Sequence, residues 1–216
     1  MRNRTPPDLR RKPPIREPIK YFYLYCEGER TEPEYFRALQ RYLASVRIQV
    51  EPEPAAGVPC TLAQRAVSHA KRLGIGSRRK PVNSFEEQDE VWIVCDRDDH
   101  PNFEDAVTKC KGGGVGVARS NPCFEVWLIL HNKDYDKPDD RHKVQDHLSK
   151  LCPEYHHRNK VPNCADLITR IESAESRAQI LLERRQSEGA PFGRPSTTVG
   201  ELTRAIRSAA HKSNPR

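Results

Sequence analysis

Hydrophobic positions come as short runs in the first part of the chain and as helical stripes in the second. Ile19 to Cys26 is an apolar and aromatic run ending near Gly28, the pattern of a buried strand. Thr31-Glu32-Pro33-Glu34 follows as a capping box, with Thr31 at the cap, Glu34 reaching back and Pro33 tolerated in the first turn. That helix carries Phe36, Leu39, Tyr42 and Leu43 on one face. Arg47 to Val50 reads as a short strand cut off by Pro52 and Pro54. A helix from Thr61 carries Leu62, Ala66, Ala70 and Leu73 along a stripe. Glu90 to Cys95 is the clearest strand, apolar on both faces as in a covered sheet, and it runs straight into Asp96-Arg97-Asp98-Asp99. A helix from Phe103 to Lys111, a turn at Gly112 to Gly114 and a strand from Val115 to Ala118 follow. Ser120-Asn121-Pro122 then opens an apolar helix through Phe124, Val126, Trp127, Leu128 and Leu130.

Beyond His131 the period is helical. His142 to Leu151 predicts one helix and Asp166 to Arg184 a long one, acidic at its start and basic at its end as the helix dipole favours. Thr198 to Ser208 predicts the last helix, with a second capping box from Thr198 and Glu201. Strands alternating with helices and then giving way to helices predict an α/β fold: a parallel sheet flanked by helices, with a helical C-terminal extension. Three parts are expected: a Pro- and Arg-rich tail over 1–18, disordered or extended; an α/β core over 19–131; and a mostly helical extension over 132–216 packed on that core.

Composition sharpens this picture. Hydrophobic residues make up 36% and charged residues 31%, so a densely charged surface surrounds a modest core. No apolar run is long enough to span a membrane and the start has no secretory pattern, so the cytoplasm is the default compartment. The seven cysteines form no C-x-x-C pair and read as reduced structural thiols. The net charge of +7 is uneven: residues 1–20 carry +5 and residues 204–216 carry +4, which leaves the body at −2. The basic ends suit phosphate contacts or plain solvation, and a basic-tailed nucleic-acid binder is one reading of them.

The candidate chemistry sits at strand ends. Glu27-Gly28 falls just past the carboxyl end of the first strand, the edge where α/β sheets gather their ligands, and Gly28 permits close approach to the backbone. Asp96-x-Asp98 ends the most apolar strand; a spacing of two puts both side chains on one side, and adjacent carboxylates repel unless a cation offsets them. Asp99 adds a third acid. If the two strands are neighbours, these oxygens suit Mg²⁺ or Mn²⁺. Glu125 reads either as a further ligand or as an acid completing a helix start, and His131 as a helix-end cation or a site residue. Trp92 and Trp127 read as core. Lys160 and the loop residues Arg78, Arg79 and Lys80 are candidates for phosphate contacts. No acid is followed two residues later by Lys, which removes the nuclease class built on that spacing.

Glu27-Gly28 followed by Asp96-x-Asp98 resembles the Toprim domain of topoisomerases, primases and defence nucleases. The stretches Cys26 to Phe36, Val91 to Asp99, Ser120 to Leu128, His131 and Pro195 to Val199 resemble, more narrowly, the RloB family. The resemblance implies a Toprim-like fold over 19–131, Mg²⁺ dependence, cleavage of RNA or DNA, a setting in prokaryotic anti-phage defence, and work beside an ABC-type ATPase partner. It makes Glu27 a general acid/base or metal ligand and Asp96 and Asp98 the metal pair, with Asp99 beside them. Glu32 and Glu125 join the catalytic acids; Gly28, Arg97, Ser120, Asn121, His131 and Lys160 join the substrate side. The rival is a non-cleaving adaptor, whose acidic site binds metal or nucleotide only to regulate the ATPase.

Overall fold

The structure, a computed structural model, describes residues 20–52, 59–75, 89–97, 102–156 and 159–212. The basic tail, Arg78 to Lys80, Asp98 and Asp99 lie outside the described residues.

Strand β1 (Tyr21–Cys26) leads through helix α1 (Thr31–Tyr42) to β2 (Arg47–Pro52). Helix α2 (Pro59–Arg72) returns to β3 (Glu90–Asp96), and α3 (Phe103–Gly112) leads on to β4 (Gly116–Asn121). The sheet order is β2-β1-β3-β4-β5; the first four strands run parallel, and β5 (Ser196–Thr197) joins β4 antiparallel. The chain thus steps outward from β1 on one side and then outward from β3 on the other. The crevice between the carboxyl ends of β1 and β3 is the point where the winding reverses, the position at which such sheets bind ligands.

Alternation along the strands divides the interior in two. Phe22, Leu24 and Cys26 of β1 and Val94 of β3 pack with α1 and the later helices, while Tyr25, Val91, Ile93 and Cys95 pack with α2 and α3. The fold is therefore α/β, with a mostly parallel sheet between helical layers, and is compatible with a Toprim-like core. Helix α4 (Glu125–Leu130) lies wholly inside, and Trp127 is among its fully buried residues. Around it pack α5 (Arg141–Leu151), α6 (Cys164–Ile168), α7 (Ile171–Ser187) and α8 (Val199–Lys212). The seven cysteines are free thiols, and all but Cys60 are buried. Among the described residues, no helix is long and apolar enough to cross a membrane.

Local details depart from the expected pattern for physical reasons. Neither capping box forms. The Thr31 hydroxyl donates to the Lys160 carbonyl at 2.9 Å, and Glu34 pairs with Arg37. The Thr198 hydroxyl accepts from the Arg119 N–H at 3.0 Å and donates to the Val117 carbonyl, which ties α8 to β4. The long helix expected over 166–184 is two helices: Asn163 caps α6, and the chain turns at Thr169 and Arg170 before α7 begins. Pro52 ends β2 without breaking it, because β2 is the sheet's edge. The 132–216 segment also supplies a strand, β5, too short to leave a periodic signal.

Candidate functional site

The site begins with register. In the parallel pairing of β1 with β3, Cys26 stands opposite Val94, and the ladder runs one step further as the Glu27 N–H donates to the Val94 carbonyl at 3.0 Å. That places the Glu27 side chain at the end of β3, where Oε2 accepts the Asp96 N–H at 3.1 Å. Asp96 continues the alternation of Val94 and is buried toward the α1 and α4 side.

Two helices start at this edge, and each brings a buried glutamate in its first turn. Glu32 of α1 is 6% exposed and Glu125 of α4 is 5% exposed. The partial positive charge of a helix start favours an acid there, yet exposed acids obtain the same benefit; burial needs a further reason. Glu125 is held by the Tyr155 hydroxyl at 2.5 Å and by Gln145 Nε2 at 3.3 Å. Glu32 is held against the backbone of residue 28. A Cβ built on Gly28 would lie 2.1 Å from Glu32 Oε2, so only glycine admits the carboxylate there.

These four carboxylates feel one another. Burial, then the charges of Glu125 and Glu27, raise the Glu32 carboxyl from 4.5 to about 7, against the hydrogen bonds of its own and the Gly28 N–H groups. Asp96 is pushed well above the usual carboxylate range by burial and by Glu32 and Glu125, with Arg141 opposing. Arg141, the first residue of α5, reaches Asp96 Oδ2 at 2.7 Å. The acids floor a cavity of about 280 Å³ that is lined by Gly28 to Glu32, Asp96 and Glu125 and flanked by Arg141, Gln145 and the exposed Lys160. Glu27 joins from one step outside that lining, through the Asp96 backbone.

A family model described as RloB-like protein matches residues 22–206, most of the chain. The chain belongs to the RloB-like family. No curated protein and no solved structure matches it. The matched region of this RloB-like chain holds all four carboxylates together with Arg141, Tyr155 and Lys160.

The other expected site residues lie elsewhere. Ser120 is buried, with its hydroxyl 2.9 Å from that of Thr197, turned toward β5. Asn121 and Arg97 both donate to the Phe192 carbonyl at 2.9 Å. His131 is fully buried in the core. Its Nδ1 lies 2.9 Å from the Trp127 carbonyl, which only accepts, so Nδ1 carries the proton and Nε2 accepts from the Tyr35 hydroxyl at 3.0 Å. Burial lowers its pKa to about 4, which keeps the ring neutral. The structure thus brings Glu27, Gly28, Glu32, Asp96, Glu125 and Lys160 together and sets Ser120, Asn121, Arg97 and His131 apart from the cavity.

Arg141, Tyr155 and Gln145 are at the site without having been singled out from the sequence. One signal was available for Arg141: the first turn of α5 reads Arg-His-Lys and carries no acid, the reverse of what the dipole favours. Charge placed against the dipole has some other partner, and here the partner is Asp96.

The donors fit a hard divalent cation: they are mutually repelling carboxylate oxygens at the ends of rigid elements, with Glu32, Asp96 and Glu125 buried and Glu27 half-buried. Among the described residues no three such groups yet close on one coordination point, and Asp96 is engaged by Arg141.

Proposed function

We propose that this RloB-like chain is a divalent-metal-dependent nuclease that hydrolyses nucleic-acid phosphodiesters. The observation that carries the reading is the gathering of Glu27, Glu32, Asp96 and Glu125 at the winding reversal of the sheet, with the Glu32 and Asp96 carboxyl groups held above their ordinary range. A fold that collects buried acids at a known ligand-binding edge supports a cationic ligand better than a structural role, for which apolar side chains serve as well. Glu27 and Asp96 would hold Mg²⁺ or Mn²⁺, with Asp98 as the ligand inferred from sequence. Such an ion, when bound, offsets charge on a phosphoryl oxygen and makes water a better nucleophile.

The chain's own groups have distinct tasks in this reading. Glu32, near neutrality in its proton affinity, accepts a proton at its carboxylate and returns it to the leaving oxygen. Tyr155 and Gln145 hold Glu125 in place. Arg141 and Lys160 offer donors to the phosphate from the cavity wall. The family resemblance adds the proposed setting, an effector of prokaryotic anti-phage defence acting in the cytoplasm with an ABC-type ATPase.

The test is cleavage of tRNA and duplex DNA by the purified chain with Mg²⁺ or Mn²⁺, with and without the ATPase, beside Glu27→Gln and Asp96→Asn. Each substitution should lower the rate by more than the roughly 10–100-fold that loss of a ligand's supporting partner costs, with folding intact. Absence of cutting under every condition, or equal cutting by the variants, would end the reading. One observation favours the adaptor instead: the Asp96–Arg141 pair already supplies the site with a positive charge. Metal-dependent control of ATPase activity without cleavage would support that alternative.

A further inference from the structure

A second charged group lies across the same strand ends, on the α3 side. Arg119 of β4 stands opposite Cys95, and Arg97 follows the end of β3 with the same alternation. Arg97 Nη2 is 3.7 Å from Glu104 in the first turn of α3. Both arginines converge on one residue of the α7–β5 connection. Phe192 accepts Arg97 Nη1 and Asn121 Nδ2 on its carbonyl, and its ring takes the Arg119 guanidinium carbon 3.2 Å from the centroid. Arg194 adds a third guanidinium, with Nε 3.4 Å from Asn121 Oδ1.

Two features ask for an explanation. Phe192 has φ 64°, a left-handed conformation that a bulky residue adopts only when its surroundings force it. The Arg119 charge is also poorly balanced. Among the described residues, Arg119 has no carboxylate within ion-pair distance and its side chain donates no hydrogen bond. Burial depresses its pKa; longer-range attraction to Glu104 opposes this most, the Arg97 charge lowers it further, and Cys95 and Glu201 oppose more weakly. A strained residue that holds two like charges side by side is ill suited to stability alone. It is suited to an anion that both charges bind, because a guanidinium fork matches phosphate oxygens and stacking on a ring fixes its plane.

We propose that Arg97 and Arg119, organised by Phe192, form a phosphate-binding lip that seats a nucleic-acid backbone beside the carboxylate cavity. This rests on the nuclease reading only for the identity of the polyanion. Asp96 and Arg97 are consecutive, so acid and guanidinium face opposite sides of one strand end. A backbone crossing that end meets both, with the lip gripping a phosphate that flanks the one at the acids. Arg119 is the phosphate-binding residue that can be tested cleanly, and Phe192 is a positioning residue.

The experiment measures binding of a labelled tRNA transcript and a labelled duplex DNA to the full chain in chelator, over a series of salt concentrations. Arg119→Met, which keeps apolar cover over the Phe192 ring, should weaken binding to whichever nucleic acid is the true ligand. It should also make the slope of log affinity against log salt shallower by about 0.7 for a single strand or about 0.9 for a duplex, the loss of one phosphate contact. Arg119→Lys should restore most of the slope. In the unaltered chain, nucleic acid should protect Arg119 from an arginine-specific dicarbonyl reagent, read by peptide mass spectrometry; this holds even if Arg119→Met does not fold. An unchanged slope in folded Arg119→Met, or modification of Arg119 unaffected by nucleic acid, overturns the lip. The two readings fail separately: protection of Arg119 without cleavage under any condition sinks the nuclease and spares the lip, whereas cleavage with an unchanged slope does the reverse.

Discussion

Replacing Glu32 by Gln should stabilise the metal-free protein, and the amount follows from the site. Glu32 is buried, and its carboxyl is raised from 4.5 to about 7 by that burial and by the charges of Glu125 and Glu27. Moving an acid over that interval is worth about 3 kcal/mol. The folded state prefers the protonated form, so this contribution is fully present below about pH 4.5 and is lost as pH rises through about 7. Gln imitates the protonated form: its carbonyl still accepts the Gly28 N–H, and its amide donates toward the neighbouring carboxylates. In chelator, Glu32→Gln should therefore match the unaltered chain near pH 4.5 and exceed it by about 3 kcal/mol near pH 8. Denaturant unfolding across that range measures the difference through the midpoint at constant m. Saturating Mg²⁺ should stabilise both proteins, about 2.7 kcal/mol at a hundred times the Kd, and narrow the gap only as far as the nearby cation eases the Glu32 carboxylate. Parallel stability–pH curves for the two proteins, or a variant less stable near pH 8, would show that Glu32 is not held at a cost, and the case for a cation at this site would lose its main support.

Three further outcomes test the same geometry. Gly28→Ala puts a Cβ where Glu32 Oε2 now lies; the carboxylate must swing away from the residue 28 N–H, so Mn²⁺ affinity measured by titration should fall about tenfold while stability falls by only about 1 kcal/mol. Tyr155→Phe removes the 2.5 Å donor to Glu125 from a buried site and should cost about 1–3 kcal/mol in chelator, less with Mg²⁺ present. Arg141→Ala breaks a pair whose guanidinium is 37% exposed, which limits the loss of stability to about 1 kcal/mol. The same variant should bind Mn²⁺ more tightly, because no cation competes for Asp96; weaker binding would identify Arg141 as a support of the site and not a competitor.

What was legible in the sequence was whatever depends on the chain's own period. Glu27 and Asp96 stand out because each ends an apolar run, and adjacency of β1 and β3 then brings them together. The capping boxes expected at Thr31 and Thr198 do not form, for the opposite reason. The local partner was present in each case, but the Lys160 carbonyl, 129 residues away, and the β4 backbone offered the hydroxyls bonds that also tie the fold together. The same holds for His131, which looks like a helix-end cation in sequence and is a neutral bridge between Trp127 and Tyr35 in the core. Local rules describe what a side chain does when nothing distant competes, and at each of these positions something distant does.

The division at residue 131 illustrates the point most fully. By pattern the α/β core ends there, and every acid of the site belongs to it. Yet Glu125 is held by Tyr155 and Gln145, Asp96 by Arg141, and Thr31 by the backbone of Lys160, all from the helical segment that follows. Arg97 and Asn121 are held by Phe192, from the connection before β5. The core brings negative charge to a sheet edge, a general property of the fold, whereas the later segment decides how that charge is balanced and from which sides a phosphate can approach. Specificity among chains that share the strand-end acids should accordingly reside in residues after 131, where strand patterns give no guidance and only contacts across the fold do.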